Sequence, residues 1–69
     1  MRTVPSESIL DIELSVLELV ATGITHRQIA VALGLSERSV RRRIIDVSAK
    51  LGVASPIEAV VAAVRRGLI

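Results

Sequence analysis

Residues 25–50 hold two stretches of helical periodicity separated by one glycine, Gly34, and this is the tightest constraint on the chain. Ahead of the glycine, Ile29, Ala30 and Leu33 fall on one helical face. Behind it, Val40, Ile44, Val47 and Leu51 recur at spacings of four, three and four, the period of a buried helix stripe. Glycine ends a helix in the left-handed conformation without a Cβ penalty. Ser36, two residues on, offers a side-chain oxygen to cap the next helix, and Leu35 plugs the turn between them. Ala30 is small, so the second helix can cross the first closely. A pair of helices joined this tightly is a helix-turn-helix, here spanning about 25–45, with its second helix over about 37–50.

A chain of 69 residues makes one domain at most, and a domain of this size is marginally stable. It has no cysteine, so it has neither a disulfide nor a thiolate metal site. With His26 as its one histidine, a structural zinc site is not expected, and neither is a cofactor. Phe, Tyr and Trp are absent, so the core must be aliphatic. No apolar run reaches the ~18 residues of a membrane span, and no signal peptide pattern opens the chain. A cytoplasmic protein with no membrane partner is the expectation. An enzyme is not expected either: there is no nucleophile–base pair, no metal cluster and no phosphate-binding glycine loop.

The predicted fold is all-α, with four helices: a tri-helical helix-turn-helix core plus a C-terminal fourth helix. Residues 1–8 are expected to form a flexible arm and residues 9–69 the domain. Ser6 and Ser8 are candidate caps for helix 1, Ser8 pairing with Asp11 as a weak capping box, and Gly23 stops that helix. Ile9, Ile12, Val16, Leu17 and Val20 share its inner face. Glu13 falls inside this stripe, so its carboxylate must be paired; Arg27 and Arg43 are the candidate partners. Leu10 and Leu14 cover a side of the core or form a contact patch. Thr25 is placed to cap helix 2 through the amides of Arg27 and Gln28. Ser55 and Pro56 start helix 4, since proline suits a first-turn position. On that helix Ile57, Val60, Val61 and Val64 make one face, and Ala59, Ala62 and Ala63 another. Gly67 ends it, with Leu68 and Ile69 as an apolar tail.

Net charge is +2, but it is unevenly spread. Residues 1–23 carry one basic and four acidic side chains, net −3; residues 24–50 carry six basic and two acidic, net +4; residues 51–69 are net +1. Arg38, Arg41, Arg42, Ile45 and Ala49 lie opposite the apolar stripe of helix 3, and Arg43 sits at its edge. A basic helix of this kind is expected where a surface faces phosphate; a merely solvated basic face is the alternative.

The wider sequence narrows the class. Glu13, Val16-Leu17, Ala21-Thr22-Gly23, Ile29-Ala30, Leu33-Gly34, Ser36, Ser39-Val40, Lys50-Leu51-Gly52-Val53, Glu58-Ala59-Val60 and Gly67-Leu68-Ile69 resemble the LuxR/FixJ/GerE-type DNA-binding domain. The resemblance covers residues 9–69. It implies a bacterial transcription regulator that lays helix 3 in the major groove of double-stranded DNA. It also implies pairing through helix 4 as a homodimer, and a receiver or sensor domain upstream when the chain is longer. Carried over by position, Arg41, Arg42 and Ile45 face base edges. Arginine can donate twice to guanine, while Ile45 meets a thymine methyl or is simply a solvent-exposed or core-rim isoleucine. Thr25, His26, Arg27, Ser36, Arg38, Ser39, Arg43 and Lys50 are the implied phosphate contacts, which hold position without reading sequence. Ala59, Ala62, Ala63 and Arg66 are the implied dimer contacts. The chain departs from the family pattern at Leu10-Asp11, where a hydroxyl residue and proline are usual, at Arg43, usually histidine, at Ile45, often polar or basic, and at Ser55-Pro56, where a basic residue is usual. A sigma-factor region 4 shares the motif, but the fourth helix and the Gly67-Leu68-Ile69 tail oppose it. A protein-interaction module that has lost DNA binding is the reading from another class.

Overall fold

A computed structural model describes residues 8–69. It contains four helices: α1 (Asp11–Ala21), α2 (His26–Leu33), α3 (Glu37–Leu51) and α4 (Pro56–Arg65). The expected arm, including Ser6, lies outside the described residues but for Ser8. Helix starts are set by local side-chain chemistry. Thr25 Oγ1 accepts from the Gln28 amide at 3.1 Å while Gln28 Oε1 accepts from the Thr25 amide at 2.8 Å, a reciprocal capping box. The Arg27 amide is not among the donors to Thr25. Ser36 Oγ accepts from the Ser39 amide at 3.0 Å, and Ser55 Oγ from the Glu58 amide at 3.2 Å. Pro56 takes the first position of α4.

The start of α1 differs from the sequence expectation. Its cap is Leu10, not Ser6 or Ser8. A leucine side chain accepts nothing, so only half of a capping box forms: Glu13 Oε1 reaches back to accept the Leu10 amide at 2.8 Å. Leu10 is itself exposed, while Leu14 packs against the core.

The aliphatic core divides into two clusters that share α1 and α3. Val16, Ile29, Ala30, Val40 and Ile44 join α1 to the helix-turn-helix, with Leu33 and Leu35 packed against them. Ile9, Leu17, Val47, Leu51, Ala59 and Ala63 join α1 and the C-terminal half of α3 to α4, with Leu68 and Ile69 folded against them. The four residues of the predicted α3 stripe are all buried.

Helix α4 sits the other way round from what its expected dimer face required. Ala59 and Ala63 are fully buried, whereas Ile57, Val61 and Val64 are 69%, 42% and 56% exposed. Close approach explains the choice. Alanine lets the α4 backbone settle closely onto α1 and α3; Val60 packs against the edge of the core, and Ile57, Val61 and Val64 are left outside.

Gly34 ends α2 with φ of +68° and Gly52 ends α3 with φ of +73°. A Cβ at Gly34 would meet nothing within 4 Å, so its cost is conformational alone. Gly34→Ala is expected to destabilise the domain by ~1–2 kcal/mol, lowering Tm by ~4–8 °C per kcal/mol at this size. Gly34→Asn should cost clearly less, and calorimetric melts of the three proteins check both.

Candidate nucleic-acid interface

The exposed face of α3 is built by subtraction. Val40, Ile44, Val47 and Leu51 take the inner side, and at 100° per residue this turns Arg38, Arg42, Ile45 and Ala49 to the opposite side, all of them exposed. Arg41 flanks this row and is exposed as well. Arg38, Ser39, Arg41, Arg42 and Ile45 line one shallow depression. A second depression continues toward α4 past Ile45, Ala49, Val53, Ala54 and Pro56. Ile45 is 64% exposed, which rules out the core rim and fits a base contact and a plain solvent-exposed side chain alike.

Two of the arginines are held by carboxylates of their own helix. Arg41 Nη2 donates to Glu37 Oε2 at 3.2 Å, and Arg42 Nε lies 3.4 Å from Asp46 Oδ1. Both pairs have the i, i+4 spacing, which alone could have revealed them. Arg27 and Arg38 are exposed and Arg43 is half-buried; none of the three has an ion-pair partner among the described residues. Ser36 Oγ, besides its capping role, donates to Ser39 Oγ at 3.1 Å. Thr25, His26 and Arg27 stand at the N-terminal end of α2, with His26 half-buried.

One residue leaves the set. Lys50 was expected to meet phosphate, but its ammonium points to α1 and donates to Glu13 at 2.8 Å (Oε1) and 3.1 Å (Oε2). Lys50, not Arg27 or Arg43, is therefore the partner of the buried carboxylate. The helical projection gives the reason: Lys50 lies on the flank of α3 that turns toward α1, one-third of the way round from the Arg42 row. Glu13 is 1% exposed and Lys50 28%, so Lys50 supplies the fold with a counter-charge.

The expected dimer contacts change too. Ala59 and Ala63 have no exposed surface to offer, and Ala62 packs against the core cluster. Arg66 is exposed, with Nη2 donating to the Leu51 carbonyl at 3.4 Å. The hydrophobic surface of α4 that reaches solvent is Ile57, Val61 and Val64, the face the sequence reading had set against the alanines.

Known proteins place this geometry. The GerE family model, described as bacterial regulatory proteins of the luxR family, matches residues 11–63. The chain belongs to the LuxR family of bacterial regulatory proteins. It is 40% identical over 57 residues to the transcriptional regulatory protein YdfI of Bacillus subtilis (strain 168). The identity is the same, over the same length, to a nitrate/nitrite response regulator protein homolog of Haemophilus influenzae (strain ATCC 51907 / DSM 11121 / KW20 / Rd). Each alignment covers 83% of this chain and 27% of the relative, so the chain spans about a quarter of their length. Among solved structures, the response regulator ChrA of a heme-sensing two-component system superposes with a TM-score of 0.86 at 31% identity. That match covers 94% of this chain and 32% of ChrA. The LuxR-family assignment makes this domain part of the DNA-binding machinery of transcription regulation, on an all-α, four-helix fold.

The Glu13–Lys50 pair yields a prediction that separates folding from DNA contact. Lys50→Met leaves a buried carboxylate without its counter-charge and should destabilise the domain by ~3–5 kcal/mol. Glu13→Gln/Lys50→Met should recover a large part of that loss in urea titrations. If the double variant also keeps the wild-type salt dependence of DNA binding, Lys50 is not a phosphate contact.

Proposed function

We propose that the domain binds double-stranded DNA sequence-specifically, with α3 in the major groove, as the DNA-reading part of a bacterial transcription regulator acting in the cytoplasm. The observation that carries this reading is the outward row of Arg38, Arg42 and Ile45, with Arg41 beside it, on a helix whose other side is locked into the core. A helix fixed in this way can present side chains to base edges without paying to order itself. Arg41 and Arg42 are the candidate donors to guanine O6 and N7, and Ile45 offers an apolar contact to a thymine methyl. Thr25, His26, Arg27, Ser36, Arg38, Ser39 and Arg43 are the phosphate-side set, with the α3 N-terminus adding its amides. In a longer chain, an upstream receiver or sensing domain supplies the input.

The regulator acts as a homodimer through α4. Ile57, Val61 and Val64 support this reading: they are spaced four and three apart and exposed on a helix that already buries its other side. Two α3 helices in such a dimer would meet half-sites about 10 bp apart.

Arg42→Ala is expected to weaken binding to a selected operator by ~1–3 kcal/mol while leaving binding to unrelated duplex nearly unchanged, measured by anisotropy over a salt series. Equal loss on both would make Arg42 a phosphate contact, and salt-insensitive binding of the wild type would favour the protein-interaction reading instead. Val61→Glu is expected to abolish the dimer at micromolar protein in sedimentation while the helical CD spectrum is kept. A monomeric wild type, with or without DNA, removes the dimer from the reading.

A further inference from the structure

The two arginines offered as base readers are not equivalent, and the difference lies in which nitrogen each has committed. Arg41 spends Nη2, one of its two outer nitrogens, on Glu37. Arg42 places Nε against Asp46 Oδ1 at 3.4 Å. A guanidinium carries five N–H donors in a fixed fork. A partner on Nε leaves both outer nitrogens directed away from the helix, in the arrangement that donates twice to guanine O6 and N7. A partner on Nη2 engages one of the two nitrogens that such a pair uses and draws the fork back toward Glu37.

We propose that Asp46 is a specificity-determining, positioning residue that acts through Arg42, and that Arg42 is thereby the guanine reader of α3. This rests on the DNA-binding reading above and deepens it. Asp46 does two things at once. It limits Arg42, 77% exposed along its side chain, to fewer rotamers, so less freedom is lost when the fork meets a base. It also sets a carboxylate beside the row of α3 that faces DNA. On an unmatched sequence Arg42 can only pair with phosphate, and there the Asp46 carboxylate is held beside the polyanion with no base contact to offset the repulsion. On a matched sequence the outer nitrogens bind the base while Nε keeps its partner. The carboxylate therefore acts against non-specific binding more than against specific binding, a use of repulsion to sharpen selectivity.

The test uses the purified chain and two duplexes of equal length and composition: one recovered by selection from random-sequence DNA, the other its scrambled counterpart. Affinities are measured by anisotropy across a salt series for wild type, Asp46→Asn, Asp46→Glu and Glu18→Gln. Asp46 is half-buried at the helix surface and outside both core clusters. Glu18 is an exposed carboxylate of α1, off the α3 surface, and reports the effect of net charge alone. For Asp46→Asn the selected-to-scrambled affinity ratio is expected to fall about five- to tenfold, with the preference for guanine at the Arg42 base pair relaxed. Its salt slope on the scrambled duplex should steepen by ~0.9, one further phosphate neutralised. Asp46→Glu should stay near the wild-type ratio, and Glu18→Gln should shift both duplexes by the same factor. An Asp46→Asn protein that shifts both duplexes equally, as Glu18→Gln does, overturns the proposal while leaving the DNA-binding reading intact. A wild type that does not distinguish the duplexes overturns that reading and this proposal with it.

Discussion

The Glu13 carboxylate is the point on which the geometry of the domain turns. It accepts the Leu10 amide at the start of α1 and the Lys50 ammonium near the end of α3, all through bonds of 2.8–3.1 Å. Apart from Ser48, the other buried side chains among the described residues are aliphatic. Aliphatic packing is permissive: cores of the right volume tolerate rearrangement and lose uniqueness before they lose stability. A buried carboxylate is not permissive, since a misplaced partner costs several kcal/mol. One ionic contact thus fixes how α1 lies along α3, and α3 carries the surface that matters. Lys50 is well placed for this in a second respect, because a cation in the last turn of α3 complements the helix dipole.

Helix α3 serves two interiors and one exterior. Its N-terminal half buries Val40 and Ile44 against α2, and its C-terminal half buries Val47 and Leu51 against α1 and α4. Being packed at both ends, it cannot rotate about its own axis without emptying one cluster or the other. The outward row of arginines therefore inherits the rigidity of the whole domain, which the proposed contacts to base edges would require.

How much of this could be read in the sequence depends on whether the cause is local. The caps at Thr25, Ser36 and Ser55, the stops at Gly34 and Gly52, and the α3 stripe were all legible, because each is decided within a turn or two of helix. The start of α1 was missed where local chemistry was overridden: Ser8 was available as a cap, but Glu13 was already tied to Lys50 and took the Leu10 amide as well. That a partner for Glu13 exists followed from its position in an apolar stripe. That the partner is Lys50, 37 residues away, depended on the rotation of α3 against α1, which no single-helix pattern contains. The orientation of α4 was missed for another reason. Both of its faces are apolar, so hydropathy could not rank them; the decision fell to how closely the backbone could approach, which favoured Ala59 and Ala63 over the larger valines and Ile57.

The pairing of Lys50 with Glu13 also changes the charge available on the α3 side of the domain. Residues 24–50 hold six basic side chains, but Lys50 is neutralised by Glu13, Arg41 by Glu37 and Arg42 by Asp46. Among the described residues, Arg27, Arg38 and Arg43 are the cations there without an ion pair. The sequence-independent pull on phosphate, which scales with the number of phosphates neutralised, would then rest on three arginines rather than on all six cations. Because Arg41 and Arg42 each have a carboxylate beside them, drawing either onto a phosphate also brings that carboxylate toward the polyanion and gains less. Drawing one onto a guanine edge adds contacts that no phosphate offers. On the proposed DNA-binding reading, charge arranged in this way would keep loose association weak and make the advantage of the right sequence large, the balance a regulator needs when competing sites vastly outnumber its own.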